Sequence, residues 1–228
     1  MRQNFERDSV DKVARYIQDN PDGMRVLGKR IGLWRFPKLK NMLSDPRSPE
    51  LETCKLFLHP DIDILLIPEA ELPPKLIGVE VKVIYMGSGE RANIRFYEGL
   101  DQALALLRFG LDAVRLFQVF IVQMTDENAR KRMPERWVEY QIPMRDIIRT
   151  LHLPIGYTPS LDFAIGNQLL PDPIQILDLK DSHAARYEDK LILPPRSNPF
   201  LDSSLRYPTV IRKFLLEEYL QNTMAANE

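Results

Sequence analysis

Two neighbouring stretches decide the fold: DIDILLI at residues 61–67 and LIGVEVKVIY at residues 76–85. The second alternates with a period of two, so Ile77, Val79, Val81, Val83 and Tyr85 share one face of a strand while Gly78, Glu80, Lys82 and Ile84 share the other. The first is a β-branched and leucine run closed by Pro68, with Asp61 and Asp63 on one face and Ile62, Ile64 and Leu66 on the opposite one. A loop carrying Glu69, Glu71, Pro73 and Pro74 joins them, so adjacent antiparallel strands are expected. On the polar face of the second strand a carboxylate and an ammonium stand about 7 Å apart along the chain, with Gly78 leaving room beside them. Such a pair among valines is costly unless it is partnered or metal-bound. Asp63, across the hairpin, is placed to approach Glu80. Two carboxylates brought together repel, and a hard divalent cation relieves that repulsion. The Lys82 ammonium can then orient a water and neutralise charge growing on a phosphate.

Moving downstream, YEGLDQALALLRFG at 97–110 is rich in helix formers, apolar nearly all round, and ends on Gly110 where a terminating glycine belongs. Gln102 sits among its leucines and alanines and needs a hydrogen-bond partner. AVRLFQVFIV at 113–122, interrupted by Arg115 and Gln118, reads as a strand covered on both faces.

PD at 60 and 61, EVK at 80–82, then this helix and strand in that order resemble the PD-(D/E)xK nuclease superfamily. The resemblance covers residues 60–124. It implies a restriction-endonuclease-like core, a central mixed β-sheet flanked by helices, and metal-dependent hydrolysis of phosphodiesters. Carried over residue by residue, it makes Asp63, Glu80 and the carbonyl of Val81 the ligands of Mg²⁺ or Mn²⁺ and places Lys82 at the attacking water. The literal motif selects Asp61; Asp63 is preferred because it opens the apolar strand, and Asp61 is held in reserve. Several branches carry a site-facing Gln on the following helix, which Gln102 resembles. Some add an acid from the first helix, a part that Glu6 or Asp11 could play.

Upstream, Val10, Val13, Ala14 and Ile17 lie at helical spacing, predicting a first helix over 9–20 with a cap at Ser9 or Asp8 and a stop at Pro21. Residues 25–47 carry seven basic side chains against Asp45 alone. Near a nuclease centre, Lys29, Arg30, Arg35, Lys38 and Lys40 would track phosphates, with Trp34 and Phe36 as stacking surfaces.

The whole chain of 228 residues has 31 basic and 32 acidic residues, so no global field draws it to nucleic acid or anionic lipid. With 44% hydrophobic residues it carries enough apolar material for a sizeable core, and disorder throughout is excluded. No apolar run approaches a membrane span, the opening MRQNFERDSVDK lacks the apolar stretch of a secretory signal, and Cys54 has no cysteine partner. These features lead us to expect a cytoplasmic protein. His59, His152 and His183 are too scattered to build a zinc site. GSGE at 87–90 lacks the spacing of a nucleotide-binding loop and reads as a turn, and the cluster Arg130, Lys131, Arg132 and Arg136 reads as ordinary surface. Proline is dense after residue 150, in LLPDPIQ and LILPPRSNPF, and Val210, Ile211, Phe214, Leu215 and Tyr219 share one face of a final helix.

The expected organisation is therefore an α/β nuclease-like core over 1–150 and a Pro-rich extension over 151–228 whose C-terminal helix lies on the core. The expected activity is that of a metal-dependent deoxyribonuclease, with a second copy or a protein partner adding to its hold on DNA. Two alternatives stand beside it. One is a catalytically inactive protein of the same fold serving as a nucleic-acid-binding or assembly subunit. The other is a phosphoesterase acting on a small molecule.

Overall fold

The computed structural model describes residues 2–19, 24–33, 41, 61–68, 74–86, 97–124, 141–176, 193–201 and 206–220. Helix α1 (Arg2–Asp19) leads into strands β1 (Met24–Ile31), β2 (Ile62–Pro68) and β3 (Ile77–Met86). Helix α2 (Leu100–Leu106), strand β4 (Ala113–Gln123) and helix α3 (residues 141–150) follow. Strands β5 (Ile155–Ile165), β6 (Gln168–Leu169) and β7 (Gln175–Ile176) and helix α4 (Arg206–Leu215) complete the chain. The strands form one sheet in the order β1-β2-β3-β4-β5-β6, with β7 paired to β5. Pairing is antiparallel from β1 to β3 and parallel from β3 to β5, so the sheet is mixed. A parallel neighbour cannot be reached by a tight turn, and the crossover from β3 to β4 carries α2.

Each face of the sheet buries its own apolar cluster. On one, Phe5, Val10, Val13 and Ala14 of α1 meet Val79, Val81 and Val83 of β3 and Val119 and Ile121 of β4. On the other, Leu106 of α2, Met144 and Ile148 of α3 and Ile211, Phe214 and Leu215 of α4 meet Leu116 and Tyr157. β4 is thus covered from both sides, as its near-continuous apolar run predicts. The amphipathic C-terminal segment likewise delivers its apolar face to the core. The side chain of Tyr219 lies outside the described residues.

Several elements differ from the sequence expectation. The first helix begins at Arg2, seven residues earlier than its predicted cap, so Ser9 is an interior, fully buried helical residue. The helix after the motif begins at Leu100 and passes through a 3₁₀ turn over Leu107–Phe109 before Gly110, at φ 70°, ends it. Residues 24–31, read only as part of a cationic stretch, form an edge strand. The sheet also runs across residue 150, because β5 pairs with β4 from Val114↔Ile155 to Gln123↔Ala164. Pro159 and Asp162 mask that strand in the sequence, since proline removes a ladder donor.

The chain after β7 is tied to the crossover. Leu193 exchanges backbone hydrogen bonds of 2.8 and 2.9 Å with Tyr157. Asn198 Nδ2 donates to the carbonyls of Leu107 and Leu111, both at 2.6 Å, and Arg212 donates to the Gly110 carbonyl at 3.0 Å. Among the described residues no helix is long and apolar enough to cross a membrane.

A buried ion pair locks α1 to β5, two strands beyond β3 in the sheet. Lys12 Nζ lies 2.8 and 2.9 Å from the two Asp162 oxygens, and it also reaches the carbonyls of Leu170 and Asp172. Removing one partner of such a pair strands the other charge. We expect Lys12→Ala to cost about 3–5 kcal/mol in urea denaturation, and replacing both residues by apolar ones of similar volume to recover most of that loss.

Candidate functional site

The site begins where β2 and β3 stop pairing. Their ladder runs from Leu66↔Ile77 to Ile64↔Val79. One residue further on, a side chain takes over the role of the strand: Asp63 Oδ2 accepts the Val81 N–H at 2.8 Å. This bond fixes the carboxylate at the opening between the two strands. Glu80, next to Val81 on β3, is 3% exposed, and its Oε2 has no hydrogen-bond partner. Lys82 Nζ donates to Gln102 Oε1 on α2 at 2.9 Å.

Asp63, Glu80, Val81, Lys82 and Gln102 all line one cavity of about 510 Å³. The residues that the sequence reading placed in one site are therefore neighbours. Asp61 lines the same cavity with a buried, unpartnered Oδ1 and remains a second carboxylate within it. Glu6 of α1 also lines it, whereas Asp11 is turned away into an ion pair with Lys29 at 2.6 Å. Of the proposed phosphate-tracking residues, Arg30 reaches the cavity and Lys29 is occupied by Asp11. Arg35, Lys38 and Lys40, with Trp34 and Phe36, lie outside the described residues. So do Cys54, His59, His183, the GSGE turn and the second basic cluster.

One sequence inference is corrected. The space beside Gly78 is filled by the apolar core, because a Cβ there would stand 2.5 Å from Leu111 Cδ1. The close approach that shapes the site comes from Gly99 instead. At φ 90° it caps α2 from the left-handed region, and a Cβ on it would lie 3.1 Å from Lys82 Cβ. Gln118 holds this turn in place. Its Nε2 donates to the Glu98 carbonyl at 3.0 Å, and its Oε1 accepts the Tyr157 hydroxyl at 2.8 Å. The sequence carried a signal for this network, since an amide inside AVRLFQVFIV must find partners. The partners themselves depend on the parallel register that sets Gln118 beside Lys82. Asp101 of α2 is a further lining acid that the sequence reading missed.

Electrostatics mark the two central carboxylates. Burial pushes Asp63 up to about 6, against the opposing pull of the Val81 N–H, Lys82 and Arg30. Burial and the neighbouring Asp63 push Glu80 up to about 9, although Lys82 acts the other way. Five lining acids face two lining cations, Arg30 and Lys82. A phosphate entering that field is repelled unless cations enter with it.

Among the described residues no three His, Cys, Asp or Glu side chains form a ready-made metal cage. The set implied by the resemblance does not require one, because it combines two carboxylates with a backbone carbonyl. An oxygen-only set containing a buried, unpartnered carboxylate oxygen suits a hard cation such as Mg²⁺ or Mn²⁺. The chain matches no family model, no curated protein and no solved structure.

The raised carboxyls carry a pH signature. Without metal, the folded state holds the Glu80 proton more tightly than the unfolded chain does. Stability is therefore greatest at low pH with respect to this group and declines as pH rises from its ordinary value of 4.5 to about 9. Melting curves in chelator from pH 5 to 9 should show this fall, and Glu80→Gln should flatten it.

Proposed function

We propose that the protein is a metal-dependent nuclease that hydrolyses phosphodiester bonds, with DNA as its substrate. The observation that carries the reading is the convergence of Asp63, Glu80 and Lys82 on one cavity, with a Glu80 oxygen buried and unpartnered. The element order α1-β1-β2-β3-α2-β4, with β3 and β4 parallel, supports the resemblance to a restriction-endonuclease-like core.

In this reading Asp63, Glu80 and the Val81 carbonyl hold Mg²⁺ or Mn²⁺. When bound, the ion supplies Lewis acidity and lowers the pKa of a coordinated water. The chain supplies position. The Val81 N–H orients Asp63 by occupying one oxygen, which leaves the other free to face the cavity. Gln102 accepts one hydrogen bond from Lys82, so the remaining N–H bonds of that ammonium can hold the attacking water and meet negative charge developing on the phosphate. Gly99 brings α2 close enough for Gln102 to do this, and Gln118 with Tyr157 fixes the turn that contains Gly99.

Purified protein should be incubated with plasmid, linear duplex, branched and single-stranded DNA and with small phosphate esters, with and without Mn²⁺. Mn²⁺-dependent cleavage of a DNA substrate is expected. Alanine at Asp63, Glu80 or Lys82 should reduce it by at least about 10²-fold while leaving the fold intact by circular dichroism. Activity retained in all three variants would remove the reading, as would hydrolysis of the small esters alone. Mn²⁺ should also raise the melting temperature of the parent protein, and Asp63→Ala should abolish that rise.

A further inference from the structure

Arg30 occupies a backbone conformation that its neighbours make conspicuous. It has φ 55°, in the left-handed region, which costs an ordinary L-residue about 1–2 kcal/mol. Glycine would adopt the same conformation without that cost, and the sequence places glycines at 28 and 32 but an arginine at 30. The strain coincides with a break in strand alternation. Lys29 reaches α1 on one face of the sheet, whereas Ile31 is buried in the cluster on the other. On β2, Ile64 and Ile62 separate in the same way. The register pairs Lys29 with Ile64 and Ile31 with Ile62, so Arg30 stands across from Asp63 at the level of the break.

The side chain delivered by this kink is exposed, and it lines the cavity that holds Asp63, Glu80 and Lys82. Lys82 is bonded to Gln102, and Lys29 to Asp11. Strain retained at a non-glycine residue beside a polar cavity is an indication of function rather than of packing.

We propose that Arg30 forms a dedicated anion subsite within the cavity, taking the two non-bridging oxygens of a nucleic-acid phosphate, and that the strained backbone is the means by which its guanidinium is aimed there. The planar, permanently charged fork of arginine suits two such oxygens, which lysine cannot match. This inference rests on the nuclease reading and deepens it: one phosphate is gripped by the protein directly, and the cavity's acids are left to the cations.

The experiment uses the full chain in a Lys82→Ala background, so that DNA is bound but not consumed. Binding of a short fluorescent duplex and of the same strand alone is measured by anisotropy with Mn²⁺ at several salt concentrations. Arg30→Ala and Arg30→Gly should each weaken binding at least tenfold and reduce the slope of log K against log salt by about one for the duplex, and Arg30→Lys should lie between them and the parent. In thermal melting without DNA, Arg30→Gly should exceed Arg30→Ala by about 2–4 °C, because only glycine relieves the strain. Unchanged affinity and slope in both variants would overturn the proposal while leaving the nuclease reading in place. Failure of the Lys82→Ala protein to bind either DNA form, together with no cleavage by the parent, would overturn both. Equal melting temperatures for the glycine and alanine variants would overturn the claim that the backbone is strained to aim the side chain.

Discussion

Two carboxyl groups drawn into one cavity, Glu80 buried and Asp63 half-buried, without enough positive charge to neutralise them, constrain everything around them. Asp63 and Glu80 are both pushed upward in pKa, and the surrounding acids outnumber Arg30 and Lys82. A fold keeps such an arrangement only where something compensates for it. The sheet buries Glu80 on the face of β3 opposite its valines, the gap between β2 and β3 admits Asp63, and α1 brings Glu6 to the same space. Of these three acids Glu80 is buried, Asp63 is half-buried and Glu6 is exposed at the cavity wall. A cation bound there, as proposed, would change the balance of the whole region, because it would turn mutual repulsion into shared coordination.

The scaffold around the cavity is correspondingly rigid. The four-point anchoring of Lys12 fixes α1 against β5 and the segment after β6, and so fixes Glu6 and Val10 at the cavity wall. On the opposite face, Tyr157, Gln118 and the Glu98 carbonyl form a buried chain that ends at Gly99, where backbone and Lys82 side chain touch. Asn198 and Arg212 tie the C-terminal part of the chain to the end of the same crossover. The helix bearing Gln102 is thereby held at both ends. A short helix has little stability of its own, and here tertiary contacts supply it.

What the sequence disclosed follows from which forces are local. Period-two alternation in LIGVEVKVIY separated the two faces of β3 correctly, since burial of alternate valines is a local pattern. Gly110 ended its helix because a left-handed terminus is a local requirement. The amphipathic C-terminal segment was legible for the same reason. Hidden features depended on distant partners. β1 was masked by its charges and by a register shift between Val26 and Gly28, and β5 by Pro159 and Asp162. The choice of Glu6 over Asp11 follows from the longer α1 and from the Lys29 partner. Ile62 was assigned to the same face as Ile64, and the break at Arg30 and Asp63 sends it to the other. No periodic reading anticipates a break in its own period.

The central claim, that Asp63 and Glu80 with the Val81 carbonyl form a cation site, is tested most directly by paramagnetic NMR. Substoichiometric Mn²⁺ added to ¹⁵N-labelled protein should broaden the backbone amides of Asp63, Val81 and Lys82 and the side-chain amide of Gln102 before any others, and excess Mg²⁺ should reverse the effect. Broadening centred elsewhere on the molecule, or none at these four positions, would contradict the account.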